Sequence, residues 1–181
     1  MRLNTIYLLP LFVTTLVVIF FWRESENNAR LQSSALATVG KPLPSFNLPT
    51  LYNPTLRFTN QSLQGHVAIL NIWASWCNAC TNEHATLLAI KNQYNFPIYG
   101  LDYKDNLQDA ENWLQKNGNP FAIIGIDSGG ETGEALHIYG TPETFLIDKH
   151  GMIRYVYLGA LNIEAWKNTL WPLIVQYQAE S

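Results

Sequence analysis

Cysteine is nearly missing from this sequence: its 181 residues hold two. A small exported fold stapled by disulfides carries more of them, spread along the chain. The pair, Cys77 and Cys80, therefore reads as reactive rather than structural. Charge is scarce too, at 14% of residues, with a net charge of −3. No basic stripe occurs, which argues against a nucleic-acid partner. No Gly-rich phosphate loop occurs, which argues against a nucleotide cofactor. There is no internal repeat and no low-complexity stretch. Apolar residues make up 48%, enough for a real core. The length suits one domain plus a tail.

The tail differs in kind from the rest. Thr5 to Phe21 holds no charge, and Trp22 ends it before Arg23. That is just short of the ~20 apolar residues that span a bilayer core, and within the usual range. Arg2 and the free amino terminus favour a cytoplasmic start. The reading is an anchor over residues 1–22. A cleaved signal peptide is the alternative, with Ala35-Leu36-Ala37 as its site. However, the apolar run is longer than a signal peptide's core, and that site lies well beyond it. Either way the rest of the chain is exported. In a bacterium that means an oxidising periplasm. Residues 23–39 are polar without a sustained apolar period, and read as a tether. Residues 40–181 read as one globular domain.

Pro42, Pro44 and Pro49 make the first segment, around Phe46 to Leu51, extended and edge-like. His66 to Trp73 is a short apolar run rich in branched residues, which suits a strand buried on both faces. A helix over about Asn78 to Tyr94 follows, with Glu83, Leu87, Ile90 and Tyr94 on one face. Phe96 to Leu101 and Phe121 to Ile126 are strand candidates. Asn106 to Asn117 between them is a helix, stopped by Gly118. A short helix is expected near Gly133 to Ile138. Glu143 to Ile147 and Met152 to Leu158 flank Asp148-Lys149-His150-Gly151, a hairpin with glycine in the left-handed position. Ile163 to about Gln178 is the last helix. The early alternation implies parallel strands, and the late hairpin adds antiparallel ones. The fold class is an α/β sandwich with a central mixed sheet.

Cys77 and Cys80 follow a buried strand and open a helix. Cys-x-x-Cys in that setting is a redox signature. The thiolate is the nucleophile, and a helix N-terminus stabilises an anion. Cys77, at that end and expected to be the more exposed, is the predicted nucleophile with a lowered pKa. Cys80, one turn on, is placed to resolve a mixed disulfide. Haem attachment would need histidine after Cys80, and Thr81 stands there. A structural zinc site needs four ligands. His84 could join the cysteines in a three-ligand copper or zinc carrier, the leading non-enzyme alternative. A permanent bridge would close too small a loop to add much stability.

Beyond the cysteines stand Gly100-Leu101-Asp102-Tyr103-Lys104-Asp105 and Gly140-Thr141-Pro142-Glu143-Thr144-Phe145-Leu146-Ile147-Asp148. With Trp76-Cys77 and Glu83-His84, these make the chain resemble the thioredoxin superfamily. It is most similar to the membrane-anchored reductases of cytochrome c maturation, the CcmG/DsbE type. The resemblance runs from about Gly40 to the last helix. It implies a cis Pro142 against the disulfide, with Thr141 offering backbone groups to a substrate strand. It implies supporting roles for Trp76, Glu83 and Glu143. On the residues alone, Glu83 could be an ordinary exposed helix glutamate and Glu143 a sheet-edge charge.

Thioredoxin has a buried aspartate where this chain has Asn71, so the resemblance implies that help with proton transfer comes from Glu83, Glu143 or water, or is weak. Asn78-Ala79 and Thr141 depart from the family's usual residues. The implied work is reduction of disulfides in apocytochrome c or a maturation partner. An upstream membrane reductase of the DsbD/CcdA type would restore the dithiol. The expected protein is a monomer in a bacterial inner membrane, with its domain in the periplasm. No organic cofactor and no metal are expected. A general periplasmic disulfide reductase is the alternative within this class. A thiol peroxidase would need Pro and Thr where Leu70 and Ala74 stand.

Overall fold

The structure is a computed structural model that describes residues 8–180. These fall into two compact units divided between Ser33 and Ser34. The first unit belongs to helix α1, Leu8–Leu36. Its apolar side chains from Leu11 to Phe12, Val13 and on to Trp22 are exposed on every side. Among the described residues, no helix is long and apolar enough to cross a membrane. The expected span starts at Thr5, and residues 1–7 lie outside the described ones. From Leu8 to Trp22 the helix covers about 22 Å, against ~30 Å of hydrocarbon core. The segment read as a tether is helical as far as Leu36. It has no proline or glycine to stop it, and Glu, Arg, Ala, Leu and Gln are good helix formers.

The second unit holds a sheet of five strands. They are β3 (Ala68–Trp73), β4 (Ile98–Tyr103), β5 (Ile123–Asp127), β6 (Glu143–Ile147) and β7 (Ile153–Leu158). Their spatial order is β5-β4-β3-β6-β7. β3 pairs parallel with β4, and β4 with β5. β6 pairs antiparallel with both β3 and β7. The mixed sheet is as expected, and so is the reason for it. Helix α2 (Asn78–Tyr94) and helix α3 (Leu107–Asn117) are crossovers between parallel strands. The β6–β7 turn needs no crossover. Gly151 sits there at φ +77°. Asp148 holds the turn by accepting from the His150 and Met152 N–H groups, both at 2.9 Å.

A small second sheet includes the extended first segment expected from the sequence and one further strand. β1 (Asn47–Pro49) pairs antiparallel with β2 (Arg57–Thr59). β2 is three residues long, too short for alternation to show in sequence. The short helix α4 is Glu131–Ala135, a little earlier than expected. The C-terminal helix runs as Ile163–Ala165, a π-helical turn Trp166–Leu170, and Trp171–Ala179. Pro172 cannot donate to the carbonyl four residues back, and the π turn lies directly before it.

All six residues of β3 are buried, which explains why that run showed no alternation. One core cluster joins Trp73 to Leu87 and Ile90 of α2, Leu114 of α3 and Trp166 and Ile174 of the C-terminal helix. The other joins Leu70, Ile72 and Phe145 to Phe46, Phe58 and Leu136. Each such fully buried side chain contributes about 1.5–3 kcal/mol. Cys77 and Cys80 belong to the first cluster. The redox pair is thus built into the core on the face that carries α2 and α3.

Candidate active site

Cys77 and Cys80 are joined, with S–S 2.08 Å and Cα–Cα 5.3 Å. Cys77 is the N-cap of α2, at φ −85° and ψ 105°. Its Sγ accepts from the Cys80 N–H at 3.0 Å. A sulfur in this place faces the free N–H groups of the first turn, which favour negative charge. Cys77 and Cys80 are 5% and 3% exposed, so accessibility barely distinguishes them. What does distinguish them is position: one caps the helix and the other lies inside its first turn.

The loop before Cys77 is clamped. Ser75 donates through its N–H and, at 2.9 Å, through Oγ to the Asp105 carboxylate. Trp76 is 56% exposed and donates through Nε1 to the Lys104 carbonyl at 3.1 Å. It forms an open aromatic surface beside the buried disulfide.

The Thr141–Pro142 peptide is cis. Glu143 pairs in register with Ile72. The register therefore brings Pro142 level with Trp73, the strand end from which the cysteine loop leaves. Pro142 is buried and Thr141 half-buried. Glu143 is no edge charge: it lies in β6 between β3 and β7 and is 1% exposed. Its Oε1 accepts from the Tyr139 N–H and, at 2.9 Å, the Gly140 N–H. Its Oε2 is buried without a partner. Burial pushes its pKa up to about 7 against the pull of those two bonds.

Glu83 is not an exposed helix glutamate either. It is 1% exposed and lies one turn below Cys80. Oε1 accepts from Asn71 Nδ2 at 2.9 Å and Oε2 from the Leu161 N–H at 2.8 Å. Burial raises its pKa to about 7, outweighing both bonds. Asn71 also donates to Thr144 Oγ1 at 3.1 Å, so it ties α2 to β6 through β3. His84 does not turn to the cysteines. Its Nε2 lies 3.1 and 3.0 Å from the carbonyls of Asn117 and Gly118, and its ring packs edge-on against Trp113. The third ligand of a metal carrier is committed elsewhere, and no metal-binding cluster of His, Cys, Asp or Glu occurs among the described residues.

Asp102 stands out in the structure though the motif Gly100 to Asp105 gives it no separate role. It is fully buried in β4, level with Trp73. Both its oxygens lack a hydrogen-bond donor. Burial and then the charges of Asp105 and Asp127 raise its pKa to about 8. A signal was there: an acid inside the apolar run Ile98-Tyr99-Gly100-Leu101-Asp102 is out of place unless it has a use.

Residues 38–170 match the Redoxin family. The chain belongs to that family. Its relatives include the thiol:disulfide interchange protein DsbE of Pseudomonas aeruginosa, 39% identical over 96% of this chain and 94% of that protein. The DsbE of Escherichia coli K12 is 37% identical over 97% of both chains. Among solved structures, a DsbE thiol:disulfide interchange protein of Chlorobium tepidum shares the fold. It has a TM-score of 0.67 and 23% identity, over 78% of this chain and 98% of that one. A secreted thiol-disulfide isomerase of Corynebacterium glutamicum is similar, with a TM-score of 0.64 and 21% identity. This redoxin has the thioredoxin-like α/β fold, and it is a thiol–disulfide oxidoreductase.

Proposed function

We propose that this redoxin is a membrane-anchored periplasmic reductant of cytochrome c maturation. It reduces disulfides of apocytochrome c or of a maturation partner. The observation that carries the chemistry is Cys77 as N-cap of α2, bonded to Cys80. In the reduced protein the Cys77 thiolate attacks one sulfur of a target disulfide. The target's S–S bond breaks, a Cys77–target bond forms, and the other target sulfur leaves as a thiolate. Cys80 loses its proton and attacks the Cys77 sulfur. That releases the second target thiolate and closes the Cys77–Cys80 bond. Two electrons have passed to the target, and its thiolates take up protons.

In this scheme Glu83, one turn on from Cys80 in α2 and with its pKa raised to about 7, receives the Cys80 proton. Glu143 keeps the Tyr139–Gly140 turn in place ahead of the cis Pro142. Thr141 offers its backbone, and Trp76 its exposed ring, to the target strand. The disulfide itself is the redox group, with no organic cofactor or metal. A membrane reductase of the DsbD/CcdA type resupplies electrons to a monomeric domain.

The choice of cytochrome maturation rests on the Tyr-Lys-Asp and Pro-Glu-Thr-Phe stretches and on relatives named DsbE. The single-pass inner-membrane anchor rests on the uncharged run from Thr5 to Phe21 in the sequence. The proposed organisation is anchor 1–22, tether 23–39 and redox domain 40–181.

The test is to express Cys80→Ala with residues 1–39 intact and identify what Cys77 traps. Mixed disulfides with apocytochrome c or a maturation thiol protein support the reading. A broad set of trapped proteins makes the chain a general reductase. An empty trap, with copper or zinc bound stoichiometrically by the reduced wild type, replaces it with a metal carrier.

A further inference from the structure

Asp102 has no role in the proposed reaction, yet its setting is hard to account for as packing. Its side chain shares a face with Gly100, one pleat back. A Cβ at Gly100 would lie 3.0 Å from both Trp73 Nε1 and the Phe121 ring, so that face is the one on which the cysteines are buried. No donor reaches either Asp102 oxygen. The charged groups that act on it are Asp105, just after β4, and Asp127 at the end of β5. Both are acids. Lys104 is near in sequence, but its Nζ is exposed and pairs with Glu134 at 3.2 Å. The Asp127 oxygens are already taken by the Thr132 and Gly133 N–H groups at 3.2 and 2.9 Å. Asp127 acts on Asp102 by charge alone, whereas Asp105 also meets it side chain to side chain, and the two Asp105 oxygens hold Ser75 N–H, Ser75 Oγ and, at 2.7 Å, the Asn106 N–H.

We propose that Asp102 and Asp105 share one proton, and that this acid pair positions the loop that presents Cys77. An isolated buried carboxylate without a donor is too costly to keep ionised. A protonated Asp102 is itself a donor, and the facing acceptor is the Asp105 carboxylate. Two carboxyls that share a site hold one proton between them more tightly than either would alone. With the proton in place, Asp105 remains an acceptor for Ser75, and the Ala74–Cys77 turn stays fixed. When the proton goes to solvent, two carboxylates face each other and the clamp on Ser75 loosens. Asp102 never meets the substrate, so it is a positioning residue that acts through Asp105 and Ser75. The direction of its titration agrees, since its proton is held to about pH 8.

The first measurement is an infrared pH titration of the full oxidised chain, in which no thiol titrates. The wild type is expected to lose a carboxylic-acid C=O band with a midpoint near 8. Asp102→Asn should lack that band and keep the two that titrate near 7, from Glu83 and Glu143. If the wild type has no such band, or Asp102→Asn leaves the titration unchanged, the shared proton is disproved. The second measurement is the rate of iodoacetamide alkylation of Cys77 in the reduced chain across the same pH range. The wild type should depart from a single thiol titration as the pH passes about 8. Asp102→Asn keeps a donor to Asp105 at every pH and should restore a single curve. Ser75→Ala should keep the infrared band but uncouple alkylation from it. Identical rate profiles in all three proteins overturn the positioning role. The infrared result does not depend on Cys77 being the nucleophile or on any partner, so it can fail or hold separately from the proposed function.

Discussion

The two ends of the central sheet treat buried carboxyls in opposite ways. At the far end of β6, Asp148 is 3% exposed and fully supplied with partners. It accepts from two backbone N–H groups and from Arg154 Nε at 2.6 Å. Its pKa is lowered, because the bonds from Met152, Arg154 and His150 together outweigh burial. At the cysteine end, Glu83, Glu143 and Asp102 are at least as buried, and none has a cationic partner. Their pKa values rise to about 7, 7 and 8. A fold that can supply an arginine to one acid leaves three others uncompensated around its disulfide. Asp148 holds a turn together. The other three hold their protons to near-neutral pH, and raised carboxyl pKa values of this kind cluster at reactive sites.

The largest effect should come from removing the group those acids surround. Cys77→Ser should abolish disulfide reduction, measured as turnover of an insulin or small aromatic disulfide with an external dithiol. Its cost in stability should be modest, about 2 kcal/mol by the chain-entropy account of so short a loop. A loss of folding comparable to the loss of activity would mean that the bridge is structural after all.

Next is the pH dependence of stability, where the two ends should have opposite signs. Glu83 has a folded pKa above its unfolded value. The folded state therefore holds a proton that the unfolded state has lost between about pH 4.5 and 7. Stability falls across that window, by on the order of 3 kcal/mol at most, and stays low above it. Asp148 has a lowered folded pKa, so its stabilisation is present above the unfolded value and disappears in more acid solution. Urea unfolding at several pH values should show Glu83→Gln flattening the decline between about pH 4.5 and 7. A decline of unchanged slope would mean that Glu83 is not the buried acid described. Asp148→Ala should instead cost about 1–3 kcal/mol at neutral pH, since it leaves two N–H groups of the hairpin and Arg154 without their acceptor. It should leave turnover by the folded protein unchanged, because it acts at the opposite end of the sheet.

Much of this was legible in sequence because the signals are local. The His66–Trp73 run gives a strand, Cys-x-x-Cys follows it, and Asp148-Lys149-His150-Gly151 gives the hairpin. The cis Pro142 needed the family resemblance, since an X–Pro bond alone favours trans. The difference between the acids was not legible at all. Glu83 is buried because Asn71 and Leu161, far from it in sequence, converge on its carboxylate. On a helical wheel it differs little from a solvated glutamate. Glu143 looked like an edge charge until β7 closed over its strand. β2 and the helical continuation of α1 carry no periodicity that could have shown them.

The smallest expected effect separates capping from proton sharing on one loop. Asn106 adjoins Asp105 and is the N-cap of α3, where its Oδ1 accepts from Gln108 N–H at 2.9 Å. Asn106→Ala removes that acceptor, and an N-cap of this kind is worth about 1 kcal/mol. Unfolding should register the loss. The Asn106 backbone N–H that reaches Asp105 is unchanged by the substitution. The Asp105 clamp on Ser75 and the pH profile of Cys77 should therefore stay as in the wild type. If loosening α3 by this amount shifted that profile, the position of the cysteine loop would depend on general rigidity at this end of the sheet. A profile that stays put while stability drops would instead locate its control in the carboxyls.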